Sequence, residues 1–119
     1  MVNQDTFNIS TPQGQHQVVL QQSPDGITSI NSFLDGAAHP MTECRASANG
    51  TTFKGNTIIR IFFFPMSDVI SVSVDPAADA VSMTVSGANL TFAGTMGKGE
   101  GYKLVAFIKG LGLPSLADA

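Results

Sequence analysis

Arg60, His16, Glu43 and Cys44 are the side chains of this chain best suited to chemistry. Arg60 lies in Ile58-Ile59-Arg60-Ile61-Phe62-Phe63-Phe64, a cation set among apolar residues. There a guanidinium can hold a carboxylate or enolate oxygen of an apolar ligand through charge-assisted hydrogen bonds. Its plainer role is an ion pair with Glu43 or Asp68 near a strand end, the stem running over apolar surface. His16 precedes Val18 and Leu20 by two and four residues, so on a strand it shares their inward face and can stand near a barrel mouth. Glu43 and Arg45 flank Cys44, which puts the two charges on one face and the thiol on the other. A lone buried cysteine ordinarily packs as a small hydrophobe. It becomes a nucleophile only beside a base or cation, here His16 or His39. His39 precedes Pro40 and is read as a solvated loop residue.

Other chemistries find less support. Two His and one Cys without paired spacing do not make a zinc site, so no metal is expected. Gly97-Lys98-Gly99-Glu100-Gly101 lacks the spacing of a phosphate-binding loop and reads as a flexible hairpin loop. No cofactor is expected.

The elements that must position these residues are strands. Ile70, Val72 and Val74 alternate with Ser71 and Ser73; beyond Asp75-Pro76-Ala77-Ala78-Asp79, Val81, Met83 and Val85 alternate with Ser82 and Thr84. Period two puts an apolar row and a hydroxyl row on opposite faces of an antiparallel pair, with Pro76 presetting the turn. Leu90 to Gly94 repeats the pattern. Earlier punctuation (Thr11-Pro12-Gln13-Gly14, Ser23-Pro24-Asp25-Gly26, Asp35-Gly36, Asn49-Gly50) delimits strands around 7–10, 16–22, 27–34 and 42–48. Asn49-Gly50 is the dipeptide favoured by two-residue hairpin turns. Asn56–Phe64 reads as one strand, apolar on both faces, with Ile58, Arg60, Phe62 and Phe64 on the lumen side. In Tyr102 to Leu111, Leu104, Phe107, Ile108 and Leu111 fit a helical stripe, but the segment is short and bounded by Gly101 and Gly110, and a closing strand is the preferred of the two readings.

Some eight or nine short strands in hairpin order predict an all-β, up-and-down antiparallel barrel, one domain over residues 1–119 with a tail at 112–119. Helix is expected in a turn or two at most.

Charged residues make up 13% of the chain, against roughly 25% in an average domain. A net charge of −3 excludes the clustered cations of a nucleic-acid binder. No apolar run reaches the ~18 residues of a membrane helix. The N-terminal residues lack a leader pattern and Cys44 is alone, so a cytoplasmic location is expected. Few charges and a strand apolar on both faces predict a homo-oligomer, a dimer by default.

The succession Thr11-Pro12-Gln13-Gly14, Val18-Val19-Leu20, Pro24-Asp25-Gly26, Asn49-Gly50-Thr51-Thr52-Phe53 and Leu90-Thr91-Phe92-Ala93-Gly94-Thr95 resembles a group of short, uncharacterised bacterial β-proteins. That resemblance implies a small lipocalin-type (calycin-like) barrel and supplies no catalytic residues. In this chain Pro76 stands in the turn where the group's rhythm has glycine.

Three functions suit such a barrel. The leading one is binding of a small apolar molecule in a hydrophobic lumen lined by Arg60, Phe62, Phe64 and Met83. The second is an isomerase, cyclase or lyase in which Arg60, His16 or Glu43 moves a proton or steadies an oxyanion. The third is a small structural subunit of a larger complex. An enzyme needs two polar groups converging in one cavity; a binder needs at most one.

Overall fold

The alternation reappears as burial. In a computed structural model, which describes residues 3–12, 14–22, 28–31, 38–61, 64–87 and 89–116, Val81, Met83 and Val85 are buried while Ser82 and Thr84 are half-exposed. The eight strands are β1 (Asn3–Thr11), β2 (Gly14–Gln22), β3 (Thr28–Asn31), β4 (Ala38–Ala46), β5 (Thr52–Ile61), β6 (Phe64–Asp75), β7 (Ala80–Val85) and β8 (Leu90–Thr95). Each runs antiparallel to the next, and they curl into an all-β barrel in plain sequence order, followed by the helix α1 (Glu100–Gly110). Cross-strand pairs Ile70↔Val85, Val72↔Met83 and Val74↔Val81 stack the apolar row of β6 on that of β7. Phe7, Ile9, Val18, Leu20, Met41 and Phe53 complete the interior from the other strands.

Closure of the barrel depends on one glycine. β8 reaches β1 at the pair Ser10↔Thr95. A Cβ at Gly94 would lie 2.3 Å from the carbonyl oxygen of Ser10, so a larger residue would force the end strands apart.

Tyr102–Leu111 is not a strand: the chain there forms α1, three turns long, and exceeds the turn or two of helix expected. Leu104, Ile108 and Leu111 are buried and Phe107 half-buried, so the stripe at i, i+3 and i+4 faces the barrel. Phe107 meets Phe7 edge-on, ring centroids 6.5 Å apart. The flanking glycines, which argued for a strand, have other reasons. Gly101 lies inside the first turn, where a Cβ would come 2.8 Å from Pro76 Cα. Packing on the barrel decides the conformation of a segment too short to hold a helix alone.

Three further expectations change. The strand expected over Asn56–Phe64 ends at Ile61 and reverses, with β6 starting at Phe64; Phe62 and Phe63 lie outside the described residues. The reversal gives Arg60 and Pro65 as backbone partners. His39 is not in a loop but in β4, paired with Ile30. Pro40 follows it, paired with Ser29 of β3; the registered β4–β5 pairing begins only at Thr42, so on that side no N–H is required of it. Asn49-Gly50 sits in a longer loop than a two-residue turn. Ser47 N–H donates to Thr52 O at 2.9 Å, and Asn49 Oδ1 accepts from Ser47 Oγ, Thr51 N and Thr51 Oγ1. The C-terminal tail crosses the chain's own barrel, Ala46 N–H donating to Pro114 O at 3.0 Å.

Candidate functional site

Among the described residues the barrel interior is packed. Phe7, Val72, Val81, Met83 and Leu104 enclose a void of about 20 Å³, room for a single water. Leu104 comes from α1, so the segment that reads as a strand supplies the plug. Met83, one of the expected ligand-lining residues, is therefore core.

A larger opening lies at the opposite end, beside the β5–β6 ladder and the β7–β8 turn. A cleft of about 670 Å³ is walled by Glu43 of β4, Asn56, Thr57 and Ile58 of β5, and Asp68 of β6, with Ser86 of the β7–β8 turn among its other contacts. That volume falls within the ~300–1,000 Å³ usual for small-molecule sites.

Asp68 shapes one wall. It occupies an inward position in the row of Ile70, Val72 and Val74, and is only 6% exposed. Its Oδ1 accepts the N–H of Val69 at 2.7 Å, the hydroxyl of Ser86 at 3.0 Å and the N–H of Gly87. A buried carboxylate needs such donors to offset lost hydration. The bonds from Ser86 and Gly87 tie β6 to the β7–β8 turn.

Glu43 shapes the other wall through a β-bulge. Between the pairs Thr42↔Asn56 and Arg45↔Lys54, β4 places Glu43 and Cys44 against the single residue Gly55. Such an extra residue re-aims a side chain, and here it puts Glu43 at φ 54, a left-handed conformation uncommon for glutamate. The side chain is held by Asn56, whose Nδ2 donates to Glu43 Oε2 at 2.5 Å. Strain of this kind collects at functional positions. Cys44, buried behind the bulge, is in no disulfide.

The expected site residues thus separate. Glu43 lines the cleft. His16 is half-buried on β2 opposite Ile9, on the inward parity expected of it, and is not among the residues lining this cleft. Phe64 does not face a lumen: it is 72% exposed at the start of β6, because the β5–β6 hairpin projects past the barrel. Ile58, expected on the same lumen face, is 63% exposed because it alternates with the buried Phe53, Gly55 and Thr57 and so lies on the outer face of β5. Arg60 is placed by its backbone on β5; its side chain, like all of Phe62, lies outside the described residues. Among the described residues no group of three metal-ligating side chains occurs.

Sequence reasoning named Asp68 only as an ion-pair partner for Arg60 and passed over Thr57 and Ser86. One signal was available for the first, since Asp68 is an acid standing at period two ahead of Ile70, Val72 and Val74.

Chemically, the cleft offers hydroxyls from Thr57, Ser67 and Ser86, an exposed carboxylate from Glu43, and apolar surface from Ile58 and Val69. It can hold a molecule with an apolar body and a few hydrogen-bonding groups. Among the described residues no helix is long and apolar enough to cross a membrane. Compared with family models, with curated proteins and with solved structures, the chain matches none.

Proposed function

We propose that the protein is a small-molecule-binding β-barrel whose largely apolar ligand sits in the cleft between Glu43 and Asp68. The contrast between about 670 Å³ at the cleft and about 20 Å³ inside the barrel carries this reading. It keeps the apolar-ligand function read from composition and relocates it from the lumen to the barrel end. Buried and in no disulfide, Cys44 suits a reducing compartment, and a cytoplasmic location goes with the proposal.

An acid–base enzyme is the second reading, favoured by two carboxylates lining one cleft. Binding fits better, because Asp68 Oδ1 is engaged by three donors and serves the fold.

Titration with the neutral fluorophore Nile red tests the proposal. Saturable binding of one probe per chain is expected. Ser67→Trp, which fills the cleft from an exposed position, should abolish it with the circular dichroism spectrum unchanged, while the volume-conserving Met83→Leu should not affect it. Binding that survives Ser67→Trp and falls with Met83→Leu would return the ligand to the interior and overturn the cleft.

A further inference from the structure

The cleft does not end at Glu43. A second hollow of about 380 Å³ adjoins it, and Glu43, Asn56 and Val69 line both. Along β5 the outward positions Ile58, Asn56 and Lys54 follow one another at period two, so the two hollows form one groove. From Ile58 to Lys54 it spans about 13 Å, four residues at the rise of a strand. At the far end Arg45 of β4 stands directly opposite Lys54. Pro114 and Leu116 of the C-terminal tail wall that end.

The chain has only six Lys and Arg, and two of them face each other here. Like charges directly opposite across a strand pair destabilise it. Arg45 is half-buried and its Nη1 donates to Ser115 O at 3.1 Å, so the tail fixes the guanidinium in place. Lys54 has no acidic partner among the described residues. Glu43 turns instead to Asn56, whose Nδ2 donates to its Oε2. An anion set between Arg45 and Lys54 would replace the repulsion with charge-assisted hydrogen bonds.

We infer that this end of the groove takes a carboxylate, so that the ligand is an apolar body ending in a single acid group. The inference rests on the cleft as the binding site and adds its specificity. Charge sets the number of acid groups. Arg45 and Lys54 against the carboxylate of Glu43 leave one positive charge in the second hollow, matched by one negative head group. A doubly charged phosphate ester would set its surplus charge against Glu43. With the acid between Arg45 and Lys54, the body of the ligand lies along Val69 and Ile58 in the cleft.

Isothermal titration calorimetry with decanoate and with decanol, which share one apolar chain, tests this at neutral pH and low ionic strength. Decanoate should bind about tenfold or more tightly than decanol. Lys54→Met, at an exposed position, keeps the apolar stem and should remove most of that preference, and Lys54→Glu should reverse it. Decyl phosphate should bind more weakly than decanoate to the wild type. Glu43→Gln, which keeps an amide oxygen for Asn56, should close that gap. Circular dichroism of each variant should match the wild type. Equal affinity for acid and alcohol, or a preference that survives both Lys54 variants, overturns the carboxylate site and leaves the cleft standing. Failure of both compounds to bind, or binding indifferent to Ser67→Trp, overturns the cleft and the carboxylate site together.

Discussion

Asp79, in the turn between β6 and β7, holds the start of α1: its Oδ1 accepts the N–H of Gly101 at 3.0 Å, and its Oδ2 faces the N–H of Gly99 at 3.3 Å. The first N–H groups of a helix lack partners within it, and α1 makes no side-chain cap of its own. The cap therefore comes from 20 residues upstream. The contact makes the helix part of the barrel.

Asp79→Ala should destabilise the protein by about 1 kcal/mol, the usual loss for a helix cap, and lower the thermal midpoint by a few degrees. Asp79→Asn should keep most of the stability, because it retains an acceptor and tolerates the left-handed φ of 50 at this position. Thermal unfolding followed by circular dichroism reads both.

Leu104→Ala should enlarge the void beside Phe7 and Met83 at a cost of roughly 2–5 kcal/mol. The new cavity has only apolar walls, so it should stay dry and take up benzene or xenon. A rise in the variant's thermal midpoint on adding benzene, absent in the wild type, checks the identity of the plug.

Gly94→Val should strain the seam between β1 and β8. The added atoms meet the Ser10 carbonyl and Ile9, contacts that overpacking data put at about 1–3 kcal/mol or more. Hydrogen exchange should show amides of β1 and β8 opening sooner, with β5, β6 and β7 retaining their protection.

Asp68→Ala should cost about 1–3 kcal/mol, since the Gly87 N–H and the Ser86 hydroxyl lose their acceptor. Asp68→Asn should recover part of that by restoring an oxygen. If the cleft wall depends on these bonds, Nile red affinity falls with Asp68→Ala and returns with Asp68→Asn.

Much of the architecture was legible in short-range pattern. The alternation at Ile70–Val74 and Val81–Val85 and the turn at Asp75–Asp79 determine an antiparallel pair, because period two leaves the apolar row one face to occupy. Repetition of that signal along the chain determines an all-β barrel in sequential order. Asn56–Phe64 was legible as the most apolar segment, but not as a hairpin. A run apolar on both parities has no face to keep, so nothing in it marks the reversal between Ile61 and Phe64.

Only the tertiary structure decided the rest, and the reason lies in contacts distant along the chain. Tyr102–Leu111 suits either period over ten residues. It becomes a helix because Asp79 caps it and the barrel end accepts Leu104 and Ile108. That choice fills the interior and moves the open volume to the other end, where Glu43 and Asp68, 25 positions apart in sequence, come to line one cleft. The residue types for a binding site are written in the chain. Their meeting place is set by a bulge on β4, a carboxylate-bonded turn after β7 and a helix seated across the barrel, none of which a local pattern encodes.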